Sequence, residues 1–269
     1  MHLNALLKYA VHEQLLKANP IPRNYRSLWF GVGIRQKIDN NKNKRAINTV
    51  LESSELTTLR KYFKNLRIDQ TNVSQMVSRV GILITTYTGI RPAELQAIRP
   101  SDIIWNNQQT LMRFHIHDSW DNVGKFMNGR TKTGINCDTL YLPAWATIIV
   151  NTFLEYREEF MLDHGMPKND DPIMLTLNSF VAMENHLPID QHSFNDYLKK
   201  ISHDLNFPRA DEMTMYWLRH SIATELAEKS EGKYAVAAQL MGHSISIFMD
   251  HYAHSQKEAE EAMALSMVE

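Results

Sequence analysis

The sequence predicts a mainly α-helical fold with one small antiparallel β-sheet (α+β), on three observations. Long stretches place apolar residues at three- and four-residue intervals. A central stretch around 103–142 alternates apolar with polar residues instead. Gly, Pro and Asn punctuate the boundaries between the two patterns. With 269 residues, 43% of them hydrophobic, the chain can bury one good core and at most a small second unit.

The first element is a helix over 3–18, carried by Leu3, Leu6, Leu7, Ala10, Val11, Leu15 and Leu16 and stopped by Asn19-Pro20-Ile21-Pro22. A polar, basic stretch over 35–45 then reads as a linker or arm. A compact domain is expected to begin near Ile47, its first helix capped within Ser53-Ser54-Glu55 or from Ser54 to Thr57. Val73 to Tyr87 forms a second helix, which Gly89 is placed to end. Pro92 suits the first turn of a short helix running to Ile98.

The strand signals follow. Ile103-Ile104-Trp105 precedes a turn at Asn106-Asn107; Met112, Phe114 and Ile116 then alternate with Arg113, His115 and His117. Thr139 to Leu142 is expected to close the sheet. Helical spacing returns at 144–160, 191–204, 217–229, 233–241 and 245–252, with an amphipathic tail at 256–267.

Composition narrows the function. No apolar run is long enough to span a bilayer, and the first ten residues lack the parts of a secretion signal, so a cytoplasmic protein with no membrane partner is expected. Cys137 is the only cysteine, which excludes an internal disulfide and fits a reducing compartment. The net charge of −1 hides an asymmetry: residues 1–70 hold 13 Lys/Arg against 5 Asp/Glu, and residues 211–269 hold 4 against 10. A polyanion responds to the local field rather than to the average.

Four clusters carry candidate chemistry. In Thr88-Gly89-Ile90-Arg91-Pro92-Ala93-Glu94, Arg91 stands before a helix N-terminus, where a guanidinium can clamp phosphate oxygens, and Glu94 lies one turn on. On its own this is more often a surface ion pair. Arg130-Thr131-Lys132-Thr133-Gly134 falls between strand-like segments, where a lysine is usually just solvated. Tyr216-Trp217-Leu218-Arg219-His220 opens a helix. Gly242-His243-Ser244 forms a turn, and Tyr252 follows nine residues after His243; alone these read as a capped turn and a half-buried core tyrosine. His115 and His117 share one strand face without a third ligand nearby, so no metal site is expected and contact of that exposed face with a polyanion backbone is the favoured role.

Together, and in this order, the clusters resemble the tyrosine recombinase and integrase family, whose motifs are TGxRxxE, a β-hairpin lysine, HxxR, GH and a tyrosine. The similarity covers roughly residues 47–255. It implies the tyrosine recombinase catalytic-domain fold, with 1–46 as the last helix of a core-binding domain plus a basic linker, 47–255 catalytic and 256–269 a tail helix.

The resemblance also implies a site-specific recombinase that cuts and rejoins DNA through a 3′-phosphotyrosine and needs no cofactor or metal. Tyr252 is then the nucleophile, and Arg91 and Arg219 supply fixed positive charge. His243 donates a hydrogen bond, Lys132 is the acid and Glu94 positions Arg91. Arg130, Arg35, Lys37, Lys42, Lys44 and Arg45 are the expected DNA contacts. Partners would be double-stranded recombination sites of a mobile element, bound by a tetramer exchanging tails between protomers, with the protein on the nucleoid when DNA-bound.

One position departs from the pattern. Tyr216 stands where the motif has its histidine, and a phenol with a reference pKa of about 10 does not accept a proton near neutrality. Tyr216 is therefore expected to donate a hydrogen bond to phosphate, and the sequence names no general base. A DNA-binding regulator that keeps the fold without the chemistry is the alternative.

Overall fold

The computed structural model describes residues 49–68, 73–166 and 169–252, with a few isolated positions between 7 and 16. Chain contacts separate Met1–Asn48 from a compact unit, Thr49–Glu269. Leu7, Ala10 and Val11 are helical. Glu13 lies in a turn and Leu15 and Leu16 in a bend, so they are not helical as expected. The other residues of 3–18, the arm with Arg35, Lys37, Lys42, Lys44 and Arg45, and the tail at 256–267 lie outside the described residues.

The compact unit is mainly helical. Its helices are α1 (Ser53–Phe63), α2 (Val73–Thr88), α3 (Pro92–Ala97), α4 (Ala144–Asp163), α5 (Phe180–Glu184), α6 (Gln191–Asp204), α7 (Met215–Lys229), α8 (Tyr234–Leu240) and α9 (Ile245–Tyr252). Between α3 and α4 lie β1 (Ile103–Trp105), β2 (Met112–Ile116), β3 (Trp120–Asp121), β4 (Phe126–Met127) and β5 (Cys137–Asp138). The strands form two sheets rather than one: β1-β2-β5, antiparallel throughout, and a separate β3-β4 hairpin.

The central helix is α2, packed against α6 and α7. Val77, Val80, Ile82, Leu83 and Ile84 are fully buried, and so are Ser78, Thr85 and Thr86. In so buried a helix the threonines turn to main-chain oxygens of their own helix, while the Ser78 hydroxyl has no partner among the described residues. The hydroxyls of Thr85 and Thr88 donate to the carbonyls of Gly81 and Ile84, at 2.9 and 2.8 Å. A Cβ on Gly81 would meet the Phe194 ring at 2.4 Å, so the missing side chain sets how closely α2 and α6 approach.

Arg60 ties α1, α2 and α7 together. It donates to Glu225 at 3.1 and 2.7 Å and to the Thr86 carbonyl, and lies 4.7 Å from the Tyr87 ring centroid. Burial opposes ionisation of Glu225, but hydrogen bonds from Arg60 and Lys229 outweigh it and hold the carboxyl at about 2.

Most predicted elements stand within a residue or two. The first helix is capped by Glu52 rather than a serine, with Glu55 accepting from the Glu52 N–H at 2.8 Å. Helix α7 begins at Met215, so Arg219 lies in its second turn and does not open it. The last strand is Cys137–Asp138. Thr139 and Leu142 still donate to Phe114 and Met112 at 2.9 and 2.8 Å, so the expected closing segment continues the pairing past the strand. Helix α5 has only five residues, too few to show a period in the sequence.

Candidate active site

Gly89 adopts φ +61°, which an L-residue takes only with strain, and this stops α2. The chain turns through Ile90 and Arg91 into α3, with Pro92 in its first turn. Arg91 is 8% exposed, and its Nη1 donates to Glu94 Oε1 at 2.6 Å. The second carboxylate oxygen accepts from the Arg91 backbone N–H at 3.3 Å. The pair is therefore buried, not a surface ion pair, and its geometry is fixed at both ends.

Arg219, 4% exposed, reaches across from α7. Its Nη1 donates to the Gly89 carbonyl at 2.8 Å, and its Nη2 donates to the Met241 carbonyl and to His243 Nε2, at 2.7 Å for the imidazole. Burial lowers its pKa to about 10, helped by the neighbouring Arg91 and opposed by Glu94, so it stays charged at neutral pH.

Helix α8 ends at the turn Met241-Gly242-His243. Gly242 has φ +58°, and Ser244 caps α9 by accepting from the Ile247 N–H at 3.3 Å. The Gly242 carbonyl accepts from Arg91 Nη2 at 3.3 Å and from the Thr133 hydroxyl at 3.4 Å. One turn thus anchors both the arginine box and the loop that carries Lys132.

His243 is held neutral. Burial, then the charges of Arg219 and Arg91, push its pKa down to about 3. Because Nε2 accepts from Arg219, the ring proton sits on Nδ1, a buried atom with no hydrogen-bond partner. The imidazole stacks on Tyr252, with centroids 5.9 Å apart and planes at 15°. Tyr252 is itself 8% exposed. Its phenol pairs with His220 Nδ1 at 2.7 Å, and burial raises its pKa against the pull of Arg219 and Arg91.

An open cleft of roughly 340 Å³ lies at the mouth of α3, lined by Arg91, Glu94, Arg130, Lys132, Tyr216 and Trp120 among others. Lys132 and Arg130 are exposed, and Tyr216 is 38% exposed near the start of α7. Lys132 is not at a hairpin tip. It sits in the turn Thr131–Gly134 that joins β4 to β5, closed by the Gly134 N–H on the Thr131 carbonyl at 3.1 Å. The hairpin tip between β3 and β4 carries Lys125, 3.7 Å from Asp190.

The structure thus sorts the expected residues into two groups. Arg91, Glu94, Lys132, Tyr216 and Arg130 face the cleft, whereas Arg219, His243 and Tyr252 pack behind it and do not line it. Arg91 belongs to both.

His115 and His117 stack, with centroids 5.7 Å apart, but each ring is held by a different carboxylate. His115 binds Asp138 at 2.8 Å and His117 binds Asp102 at 2.9 Å, and Arg113 also meets Asp138 at 3.0 Å. Arg113, His115 and His117 on that strand face are thus each already paired with a carboxylate, which weakens the face as a contact for DNA backbone. Sequence reasoning missed His220, although it follows Arg219 directly and lies one turn from Tyr216. It missed Cys137 as well. That thiol sits where a Cβ on Gly242 would come within 3.1 Å of it, and burial, then Glu94, push it up to about 11, so it is not a reactive thiolate.

Comparison with known proteins bears on the family and the fold. The phage integrase family model matches residues 49–259. No curated protein matches the chain. Among solved structures, XerH site-specific recombinase bound to difH substrate in a pre-cleavage complex matches with a TM-score of 0.56 at 19% identity, over 79% of this chain. The match covers 52% of the XerH chain, so this chain spans about half its length. Tn1549 transposon integrase in complex with circular intermediate DNA matches with a TM-score of 0.58 at 14% identity, over 99% of this chain and 94% of that one. At these identities the likeness concerns the fold.

Proposed function

The chain belongs to the phage integrase family and has the fold of a tyrosine recombinase catalytic domain, and from that premise we propose that it cuts and rejoins double-stranded DNA through a covalent link to Tyr252. The supporting observation is convergence. Arg91, Arg219 and His243 come from three separate stretches of chain; the main-chain oxygens of Gly89, Met241 and Gly242 aim the two arginines, Arg219 holds the His243 imidazole, and Tyr252 stacks on that ring.

In the proposed step the Tyr252 oxygen attacks phosphorus, the bond to the 5′-oxygen breaks, and a 3′-phosphotyrosine remains. Arg91 and Arg219 stabilise charge on the nonbridging oxygens, with His243 donating from Nδ1. Lys132, exposed on its turn, gives a proton to the leaving 5′-oxygen. Tyr216, at the cleft, donates to phosphate. A free 5′-hydroxyl reverses the step, and because the bond energy is conserved neither ATP nor a metal is required. Arg130 and the basic stretch over 35–45 would hold the DNA backbone. The tail at 256–269 would dock on a neighbouring protomer in a tetramer.

The test is covalent capture on a nicked suicide substrate, from which the freed strand diffuses away. The parent is expected to form a protein–DNA adduct, and Tyr252→Phe to form none while binding DNA almost as well. An adduct that persists in Tyr252→Phe removes Tyr252 from the role. A parent that binds DNA but never forms the adduct supports the regulator reading, which the burial of Tyr252 also accommodates.

A further inference from the structure

We propose that His220 is the general base that takes the phenolic proton from Tyr252. The inference rests on the recombinase reading above and supplies the group that the sequence leaves unassigned, since Tyr216 is a phenol. His220 and Tyr216 are four residues apart on α7 and so share a face of that helix. An imidazole therefore stands one turn beyond the position where the phenol faces the cleft.

His220 Nδ1 lies 2.7 Å from the Tyr252 oxygen, hydrogen-bond distance for direct proton transfer. The two rings are 5.8 Å apart between centroids. The charged and titratable groups facing His220 are Arg219 on its own helix, His251 and Tyr252 on α9, and His243 in the preceding turn. Arg219 and His251 act in the same direction as burial and push the imidazole below its ordinary value. His220 is therefore neutral at pH 7, and in the tautomer that carries its proton on Nε2 the Nδ1 atom accepts from the phenol. The phenol needs such help, because burial raises its pKa.

The proton balance is complete. As the Tyr252 oxygen bonds to phosphorus, its proton passes to His220 Nδ1, while the departing 5′-oxygen is protonated from the cleft side. In the rejoining step the 5′-hydroxyl attacks and gives its proton back to Lys132 on the cleft side, the tyrosine oxygen leaves, and His220 returns the proton it held to that oxygen.

The experiment measures single-turnover adduct formation on the suicide substrate for the full chain and for His220→Gln. Each protein is made with tyrosine or with 2,3,5-trifluorotyrosine at position 252, and DNA binding is measured alongside. His220→Gln keeps a polar side chain but accepts no proton near neutrality. It is expected to slow adduct formation on the order of 10²–10⁴-fold with DNA affinity unchanged, the range of a lost general base. The more acidic fluorinated phenol should recover most of that loss, and the rate of His220→Gln should climb with pH where the parent has levelled.

A loss that fluorination leaves untouched would show a packing role and overturn the proposal, as would loss of DNA binding in step with activity. A faster His220→Gln would show that the hydrogen bond restrains Tyr252, and would also overturn it. A parent with no adduct at all refutes the recombinase reading itself, and His220 falls with it.

Discussion

At the scale of single residues, Lys132 invites the most direct test. It stands on the cleft beside Arg91, and the proposed chemistry assigns it one proton. A thiol leaving group, with a pKa of about 8.5, departs without that proton. Lys132→Ala should therefore be severely slow on ordinary DNA and close to the parent on DNA with a 5′-bridging sulfur at the scissile bond. Equal impairment on both substrates would make Lys132 a binding residue and turn attention to Lys125, whose partner Asp190 lies 3.7 Å away. Arg91, Glu94, Arg219, His243 and Tyr252 were legible in the sequence because each sits in a short motif of fixed order. His220 was not, since nothing in a linear spacing of 32 residues says that its ring meets the Tyr252 phenol. The role of the main-chain oxygens was equally hidden, because any residue type supplies a carbonyl.

At the scale of elements, two glycines at left-handed φ separate backbone strain from packing. Gly89 has φ +61°, and a Cβ there would lie 2.9 Å from Met241 Cε and 3.1 Å from Ile222 Cβ. Gly134 has φ +72° with nothing within 4 Å of its Cβ position. Gly134→Ala should cost only the backbone term, about 1–2 kcal/mol. Gly89→Ala should cost more in urea unfolding and also slow adduct formation, because a shifted Gly89 carbonyl no longer aims Arg219. Equal costs, with activity intact in both, would separate the α2–α3 turn from the site. The same turns explain how much of the fold could be read. Helix ends marked by Gly89, Pro92 and Gly242 were placed to within a residue or two. The strands were blurred because β3, β4 and β5 have two residues each, a single period of alternation that never repeats. That shortness is why one sheet was expected where there are two, and why Lys132 was assigned to a hairpin rather than to the turn joining them.

At the scale of the whole molecule, the buried imidazoles tie stability to pH. His243 titrates at about 3 in the folded chain against an ordinary 6.5, through burial first and then Arg219 and Arg91, and His220 is shifted the same way. The unfolded chain therefore binds protons that the folded chain refuses. Their stabilising contribution is complete above about pH 6.5 and is lost as pH falls from there toward 3. Unfolding free energies measured from pH 7.5 to 5 should fall more steeply for the parent than for His243→Gln, so the gap between them narrows toward acid. Glu225 cannot mimic this, since its own contribution is lost only below its ordinary value of 4.5. Parallel slopes for the two proteins would mean that His243 is not held neutral by its surroundings. The turn at Gly242 has a further consequence, which concerns synthesis. Arg91 donates to an oxygen 151 residues further along the chain, and Arg219 to one 22 residues further. While the ribosome is still working toward residue 242, both guanidiniums already exist but have no carbonyl there to aim them, and the tyrosine has not yet been made. On the proposed reading, a nascent chain that stops short of residue 242 is harmless to the DNA it touches, and the power to cut arrives only once the segment carrying Gly242 and Tyr252 has been made and folds into place.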